Sequence, residues 1–239
     1  MQAMILAAGL GTRLKPLTDD TPKALINVYG RTLLEIAIRN LIEYGFNKII
    51  INVHHHADKI KQFIEANTFA ADIFISDETE LLLDTGGGIK NALHFFDNLP
   101  VLIHNVDIIS NLDLNEFYNY HLSDDSLASL VVSKRVSSRY LLFNEDNILC
   151  GWEDIKKNER IIVRDEPDYK QLAFNGIHII NPELIKKFPE DKVFSVIKAY
   201  LMAARTEEIN AYLCNDIKWI DVGKIDSLQR AEELVKKIF

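Results

Sequence analysis

Short apolar runs alternate with helical repeats through the first half of the chain, and this alternation constrains the fold more than any other feature. Residues 1–8 read as a buried strand that ends at Gly9-Leu10-Gly11. Between Thr32 and Tyr44, the side chains Leu34, Ile38, Leu41 and Ile42 recur at helical spacing, with Gly45 as the stop. Further strands are predicted over residues 49–53, 72–76, 101–106 and 127–133. Helices are predicted over 57–66, 89–96 and 114–121, the second opened by the triple glycine Gly86-Gly87-Gly88. Strands buried on both faces and separated by helices predict an α/β fold: a Rossmann-like, three-layer, mostly parallel sheet.

After Ser133 the rhythm changes. Residues 140–143 and 148–152 flank Asn144-Glu145-Asp146-Asn147, a hairpin over polar turn residues. Residues 160–164 and 172–180 add strands with no helical period between them, and helices return over 182–188, 194–204 and 225–238. No repeat or Pro/Ser-rich linker interrupts the chain. The expectation is one domain over residues 1–239, with 134–190 as a substrate-side lobe of antiparallel strands.

With 239 residues the chain has enough surface to bury a core without staples. Its 27 Lys and Arg against 35 Asp and Glu leave a formal charge of −8. That disfavours nucleic acid, whose binding runs on phosphate neutralisation, but leaves room for a small anion met by a few cations in a cleft. Cys150 and Cys214 are too few for a disulfide framework. No leader pattern and no run of membrane-spanning length is present in the sequence, so a cytoplasmic protein without a membrane partner is expected. No coiled-coil or interface pattern chooses between monomer and homodimer.

The most informative segment is Leu6-Ala7-Ala8-Gly9-Leu10-Gly11-Thr12-Arg13-Leu14-Lys15-Pro16-Leu17-Thr18, followed by Thr21-Pro22-Lys23. Glycines directly after a strand let backbone N–H groups approach a phosphate. The dinucleotide fingerprint needs a third glycine where Leu14 stands, and the Walker loop needs a Gly-Lys-Ser/Thr that occurs nowhere in the chain. What remains is a glycine loop with Arg13 and Lys23 behind it: either a polyphosphate cradle or a surface loop with two solvated cations. Asp107 and Asp221 each end or follow an apolar strand, as cap residues do and as metal-binding carboxylates do.

This opening resembles that of the sugar-1-phosphate nucleotidylyltransferases, and the resemblance extends along essentially the whole chain. Leu83-Asp84-Thr85-Gly86-Gly87-Gly88-Ile89 is similar to the family's second glycine segment, which borders the base. Asn105-Val106-Asp107 stands where the family has a metal aspartate, and Trp219-Ile220-Asp221-Val222-Gly223 resembles the segment with the second. Asn175-Gly176 resembles the sugar-side pair. The Asp-Thr-Gly-Gly-Gly-Ile form looks most like the N-acetylmuramate-α-1-phosphate uridylyltransferases of cell-wall recycling. Val106 departs from the family's glycine before the metal aspartate, Asp165-Glu166-Pro167 lacks a lysine that many relatives carry, and Lys224 replaces a common threonine.

The resemblance implies a Mg2+-dependent enzyme that joins a nucleoside triphosphate to a sugar 1-phosphate and releases pyrophosphate. It implies Arg13, Lys23 and Asp107 as catalytic residues and Asp107 with Asp221 as metal ligands. Leu6, Ala7, Ala8, Gly9, Gly11, Thr12, Arg13, Lys23 and Gly87 would hold the nucleotide, and Asn175 and Gly176 the sugar. UTP with N-acetylmuramate 1-phosphate leads; GTP with mannose 1-phosphate, another pair, and a catalytically silent nucleotide-sugar sensor are the alternatives. Outside this set, His54-His55-His56 reads as a strand-to-helix corner rather than a metal cluster, because adjacent side chains in extended backbone point apart. Glu78 and Glu80 read as a solvated loop, and Phe95-Phe96 as packing.

Overall fold

A computed structural model describes residues 1–238. The elements run β1 (Gln2–Leu6), β2 (Asn27–Val28), β3 (Arg31–Thr32), α1 (Leu33–Glu43), β4 (Lys48–Val53), α2 (Ala57–Glu65), β5 (Asp72–Asp77) and α3 (Asp84–Asn91). They continue through β6 (Val101–Asn105), β7 (Ile108–Ser110), α4 (Leu114–Leu122), β8 (Ala128–Ser133), β9 (Arg139–Phe143), β10 (Leu149–Asp154) and β11 (Glu159–Ile162). The last are β12 (Lys170–Ile180), α5 (Pro182–Ile185), α6 (Val196–Ala203), β13 (Ile209–Leu213), β14 (Trp219–Asp221) and α7 (Asp226–Ile238).

Strands β5, β4, β1 and β6 lie side by side and parallel. Their residues alternate between two cores: Ala3 and Ile5 face one, Met4 the other; Ile49, Ile51 and Val53 face the first, Ile50 the second. Helices α1, α4 and α7 bury apolar residues in the first core, and α3, α5 and α6 in the second. The expected three layers follow directly. Helix α1 begins where the Thr32 hydroxyl accepts the Glu35 N–H at 3.1 Å and ends at Gly45, whose φ of 83° closes the turn.

Beyond β6 the pairing turns antiparallel. Strand β12 pairs with β6 and β8 through its later residues, and through residues 170–172 with β9. β9, β10 and β11 then extend the sheet as antiparallel neighbours. The bend in β12 falls at a register shift between Phe174 and His178, with Gly176 at φ 77°. These are the additional strands anticipated after Ser133, and Asn147 turns the hairpin at φ 64°.

Two expectations need correction. The triple glycine does not precede its helix but lies inside α3. A Cβ on Gly86 would stand 2.5 Å from the Phe194 ring, on Gly87 2.2 Å from the Lys192 carbonyl oxygen, and on Gly88 2.6 Å from Glu78 Oε1. Close approach from three sides, not turn formation, requires these glycines. Strands β7, β13 and β14 were not anticipated as separate elements; β7 and β14 have three residues each, too short for any period. Among the described residues no helix is long and apolar enough to cross a membrane.

Candidate active site

Strand β1 has β4 on one side and β6 on the other, so the chain direction of the connections reverses at its C-terminal end. This switch point is where open α/β sheets form ligand crevices. Residues 6–9 leave β1 across that end, the Ala7 N–H donating to Asn52 Oδ1 at 2.7 Å. Gly11, at φ 65°, starts a 3-10 turn over Thr12–Leu14 that is anchored by fully buried Leu14. A Cβ on Gly11 would sit 2.9 Å from Thr18 Cγ2 and 3.1 Å from Lys23 Cβ, so this position brings the glycine loop down onto Lys23.

Lys23 forms an ion pair with Asp107, both side chains largely buried. Asp107 follows β6, and Asp221 ends β14, which pairs with β7 in register Asp221 to Ile108. The Val222 N–H donates to the Asp107 carbonyl at 2.9 Å, so the short β7/β14 ribbon sets the two aspartates side by side. Burial raises the Asp221 pKa, the neighbouring Asp107 raises it further, and Lys23 and Arg13 pull the other way. Asp221 Oδ1 is buried with no hydrogen-bond partner.

Two adjacent carboxylates with an unsatisfied oxygen suit a hard divalent cation such as Mg2+, which completes its shell with water and phosphate oxygens. Among the described residues, no group of three His, Cys, Asp or Glu side chains gathers to form a full protein cage. His54-His55-His56 forms the corner between β4 and α2, with His56 at φ 53°.

Arg13 reaches the same point from the other side. A Cβ on Gly223 would lie 2.7 Å from Arg13 Nη2 and 2.6 Å from Asp221 Oδ1, so only glycine leaves room for both groups. Two cavities meet this cluster. One, of about 440 Å3, is lined by residues 6–9, Lys23, Asn52, Asn105 and Asp107, and closed by Leu82, Asp84, Thr85 and Val193. The other, of about 550 Å3, is lined by Arg13, Arg135, Arg139, Trp219, Asp221 and Lys224 among others.

Residues 2–238 match the family described as Nucleotidyl transferase. The chain belongs to the nucleotidyl transferase family. Within it, the chain is a member of the sugar-1-phosphate nucleotidylyltransferase superfamily. It is 31% identical over 238 residues to the N-acetylmuramate alpha-1-phosphate uridylyltransferase of Caulobacter vibrioides, covering 96% of this chain and 95% of the relative. The Neisseria meningitidis protein of the same description is 28% identical, with 98% of each chain covered. The crystal structure of HddC from Yersinia pseudotuberculosis superposes with a TM-score of 0.75 at 25% identity, covering 97% of this chain and 98% of that one.

In this nucleotidyl transferase, residues 6–9, Lys23 and Asp107 share the first cavity, whereas Arg13 and Asp221 line the second. Gly87 does not line either; it borders a neighbouring cleft with Lys90 and Lys192. Asn175 is 1% exposed, its Oδ1 already taken by Ser133 Oγ and Arg135 Nε, each at 3.1 Å. The Cβ-free face of Gly176 meets Asn105 Nδ2 and Ile108 Cγ1, each 2.9 Å from where a Cβ would stand.

The reading of the sequence missed two groups. Glu78 is not solvated: it is 3% exposed, accepting from Asn52 Nδ2 at 2.8 Å and the Leu83 N–H at 3.2 Å. Burial raises its pKa, and those two hydrogen bonds oppose the rise. The Asn52–Glu78 pair thus ties the ends of β1, β4 and β5 to the segment that closes the first cavity; Glu80 is exposed. The other is Arg135, a half-buried guanidinium in the wall of the second cavity. Nothing in Lys134-Arg135 marks it in the sequence.

Proposed function

We propose that this chain transfers a uridylyl group from UTP to N-acetylmuramate 1-phosphate, releasing pyrophosphate, as a step of cell-wall recycling in the cytoplasm. The observation that carries this reading is the Lys23–Asp107–Asp221 cluster at the junction of two cavities. One cavity lies against the glycine loop, suited to the nucleotide, and the other against the added strands, suited to the sugar. The two relatives described as N-acetylmuramate alpha-1-phosphate uridylyltransferases, which match this chain over almost their full length, support the choice of base and sugar.

An oxygen of the sugar phosphate attacks the α-phosphorus; a phosphorus–oxygen bond forms as the bond to the β-phosphate oxygen breaks, and pyrophosphate leaves. A phosphate monoester is already ionised near neutral pH, so no general base is required, and the protein contributes position and charge. Backbone of residues 6–9 would flank the base and ribose, with Gly11 and Thr12 turning the loop toward the phosphates. Lys23 would exchange its Asp107 partner for the α-phosphate, and Arg13 would meet the departing pyrophosphate. Asp107 and Asp221 would hold Mg2+, which supplies charge neutralisation at the phosphate oxygens. Residues 134–190 would form the sugar-side wall, with Asn175 and Gly176 shaping it.

A matrix of nucleoside triphosphates against sugar 1-phosphates, read by Mg2+-dependent pyrophosphate release, tests this. The highest turnover should fall on UTP with N-acetylmuramate 1-phosphate. Preference for GTP with mannose 1-phosphate would overturn the choice of substrates, and nucleotide binding without any pyrophosphate release would make the chain a sensor.

A further inference from the structure

The second cavity carries Arg13, Arg135, Arg139 and Lys224 in its wall against one carboxylate, Asp221. Among these cations Arg135 is the one built in place. Its Nε donates to Asn175 Oδ1 at 3.1 Å and its Nη2 to the Phe174 carbonyl at 2.8 Å. Its guanidinium lies 4.4 Å from the centre of the Trp219 ring, and Trp219 is in turn fixed by donating to the Asn175 carbonyl at 2.8 Å. Strands β8, β12 and β14 therefore all contribute to holding one side chain. Arg139, by contrast, is spent on Asp154 at 3.1 Å.

Arg135 nevertheless has no carboxylate in ion-pair contact among the described residues, although the charge of Asp221 favours its charged form. Among the described residues it forms no ion pair, and its contacts are neutral amide and carbonyl oxygens and an aromatic face. The guanidinium has N–H groups left over, in a planar fork that matches two oxygens of a phosphate. Asp165-Glu166-Pro167, the segment without a lysine, supplies no substitute: Glu166 is tied to Asn144 at 3.1 Å, outside the cavity wall.

We propose that Arg135 grips the phosphate of the incoming sugar 1-phosphate and orients it toward the nucleotide, with Asn175 as the positioning residue that aims the guanidinium. The proposal rests on the nucleotidyl-transfer reading above. It assigns to a residue just past β8 the charge that the acceptor's phosphate requires beside Asp221. It also gives buried Asn175 a role exerted through Arg135 rather than through contact with the sugar.

The test is steady-state kinetics of full-length Arg135→Met and Arg135→Lys, each substrate varied with the other saturating. Loss of one charge-assisted grip should raise KM for the sugar 1-phosphate about 10- to 100-fold in Arg135→Met. KM for UTP should stay within about twofold, since only the acceptor's grip is lost. Arg135→Lys should fall between, keeping the charge without the fork, and millimolar guanidinium should restore part of the turnover of Arg135→Ala. N-acetylglucosamine 1-phosphate, which has no carboxylate, should lose inhibitory affinity in Arg135→Met by a similar factor. An effect confined to the carboxylate-bearing sugar, or a rise in the KM for UTP instead, would overturn the proposal. So would an unchanged acceptor KM in a variant with native melting temperature; if Arg135→Met does not fold, Arg135→Lys decides. A wild-type protein that turns over no pair removes the functional reading and this assignment together, whereas active wild type with indifferent variants removes the assignment alone.

Discussion

Acidification should destabilise this fold through two histidines that the sheet buries. His104 on β6 is 2% exposed and His178 on β12 is fully buried. His104 Nδ1 and His178 Nε2 have no hydrogen-bond partner, and His178 Nδ1 faces the Tyr200 hydroxyl. Burial outweighs the Asn105 backbone and the Asp107 charge, which favour protonated His104, and lowers it to about 4; burial, with the neighbouring His104, lowers His178 to about 3. Unfolded, both would titrate near 6.5. Their contribution is therefore intact above about pH 6.5 and is lost as pH falls toward the folded values, because only the unfolded chain takes up the protons. At about pH 5 the linkage relation gives roughly 2 kcal/mol for each histidine and about 4 kcal/mol for the pair. Glu78 works in the opposite sense: its raised pKa means that the folded state gains as the carboxyl is neutralised. Comparing wild type with His104→Gln/His178→Gln cancels that opposing effect. Urea unfolding at about pH 7.5 and about pH 5 should show wild type losing several kcal/mol more than the double variant. Equal losses in the two proteins would refute the reasoning.

At the site, Gly223→Ala should damage activity more than stability. The new Cβ meets only the ends of Arg13 and Asp221, so displacing one charged contact should lower kcat/KM about 10- to 100-fold while the melting temperature holds. Asp107→Asn releases the Lys23 partner and one carboxylate; the fold should persist by circular dichroism while kcat at saturating Mg2+ drops at least about 100-fold. Gly88→Ala drives a Cβ into the buried Asn52–Glu78 pair and should cost about 1–3 kcal/mol in calorimetric unfolding. Gly9→Ala, with nothing within 4 Å of its Cβ, should melt like wild type and raise the KM for nucleotide, which separates a packing glycine from a cleft-lining one.

The parallel half of the sheet was readable because β1, β4 and β6 are largely continuous apolar runs and α1 a 3.6-residue period, so local pattern and final burial coincide. β1, β4 and β6 fall within a residue or two of expectation for that reason. The triple glycine misled because its cause is not local: Phe194, Lys192 and Glu78 come from distant segments to press on one helix. Glu78 misled in the same way. Between Asp77 and Glu80 its side chain looks like part of a solvated acidic loop, and only Asn52 on β4 gives it a buried partner.

The candidate site divides along the same line. Arg13, Lys23, Asp107 and Asp221 carried motif signals, and the structure shows how residues so far apart meet: β7 and β14 are too short to be seen in the sequence, yet their pairing sets Asp221 beside Asp107. Arg135 had no signal, because its placement is a property of three strands at once. The bulge in β12 turns Asn175 and the Phe174 carbonyl toward it, and β14 brings Trp219 under its guanidinium. Motifs mark side chains set by a contiguous segment; a residue that completes the second cavity need only converge on it after folding. The charge that receives the acceptor's phosphate should therefore reside at Arg135, in the second cavity, rather than in the glycine loop. Exchanging Arg135 should weaken every sugar 1-phosphate by a similar factor, while exchanging residues 6–9 should act on the nucleotide instead.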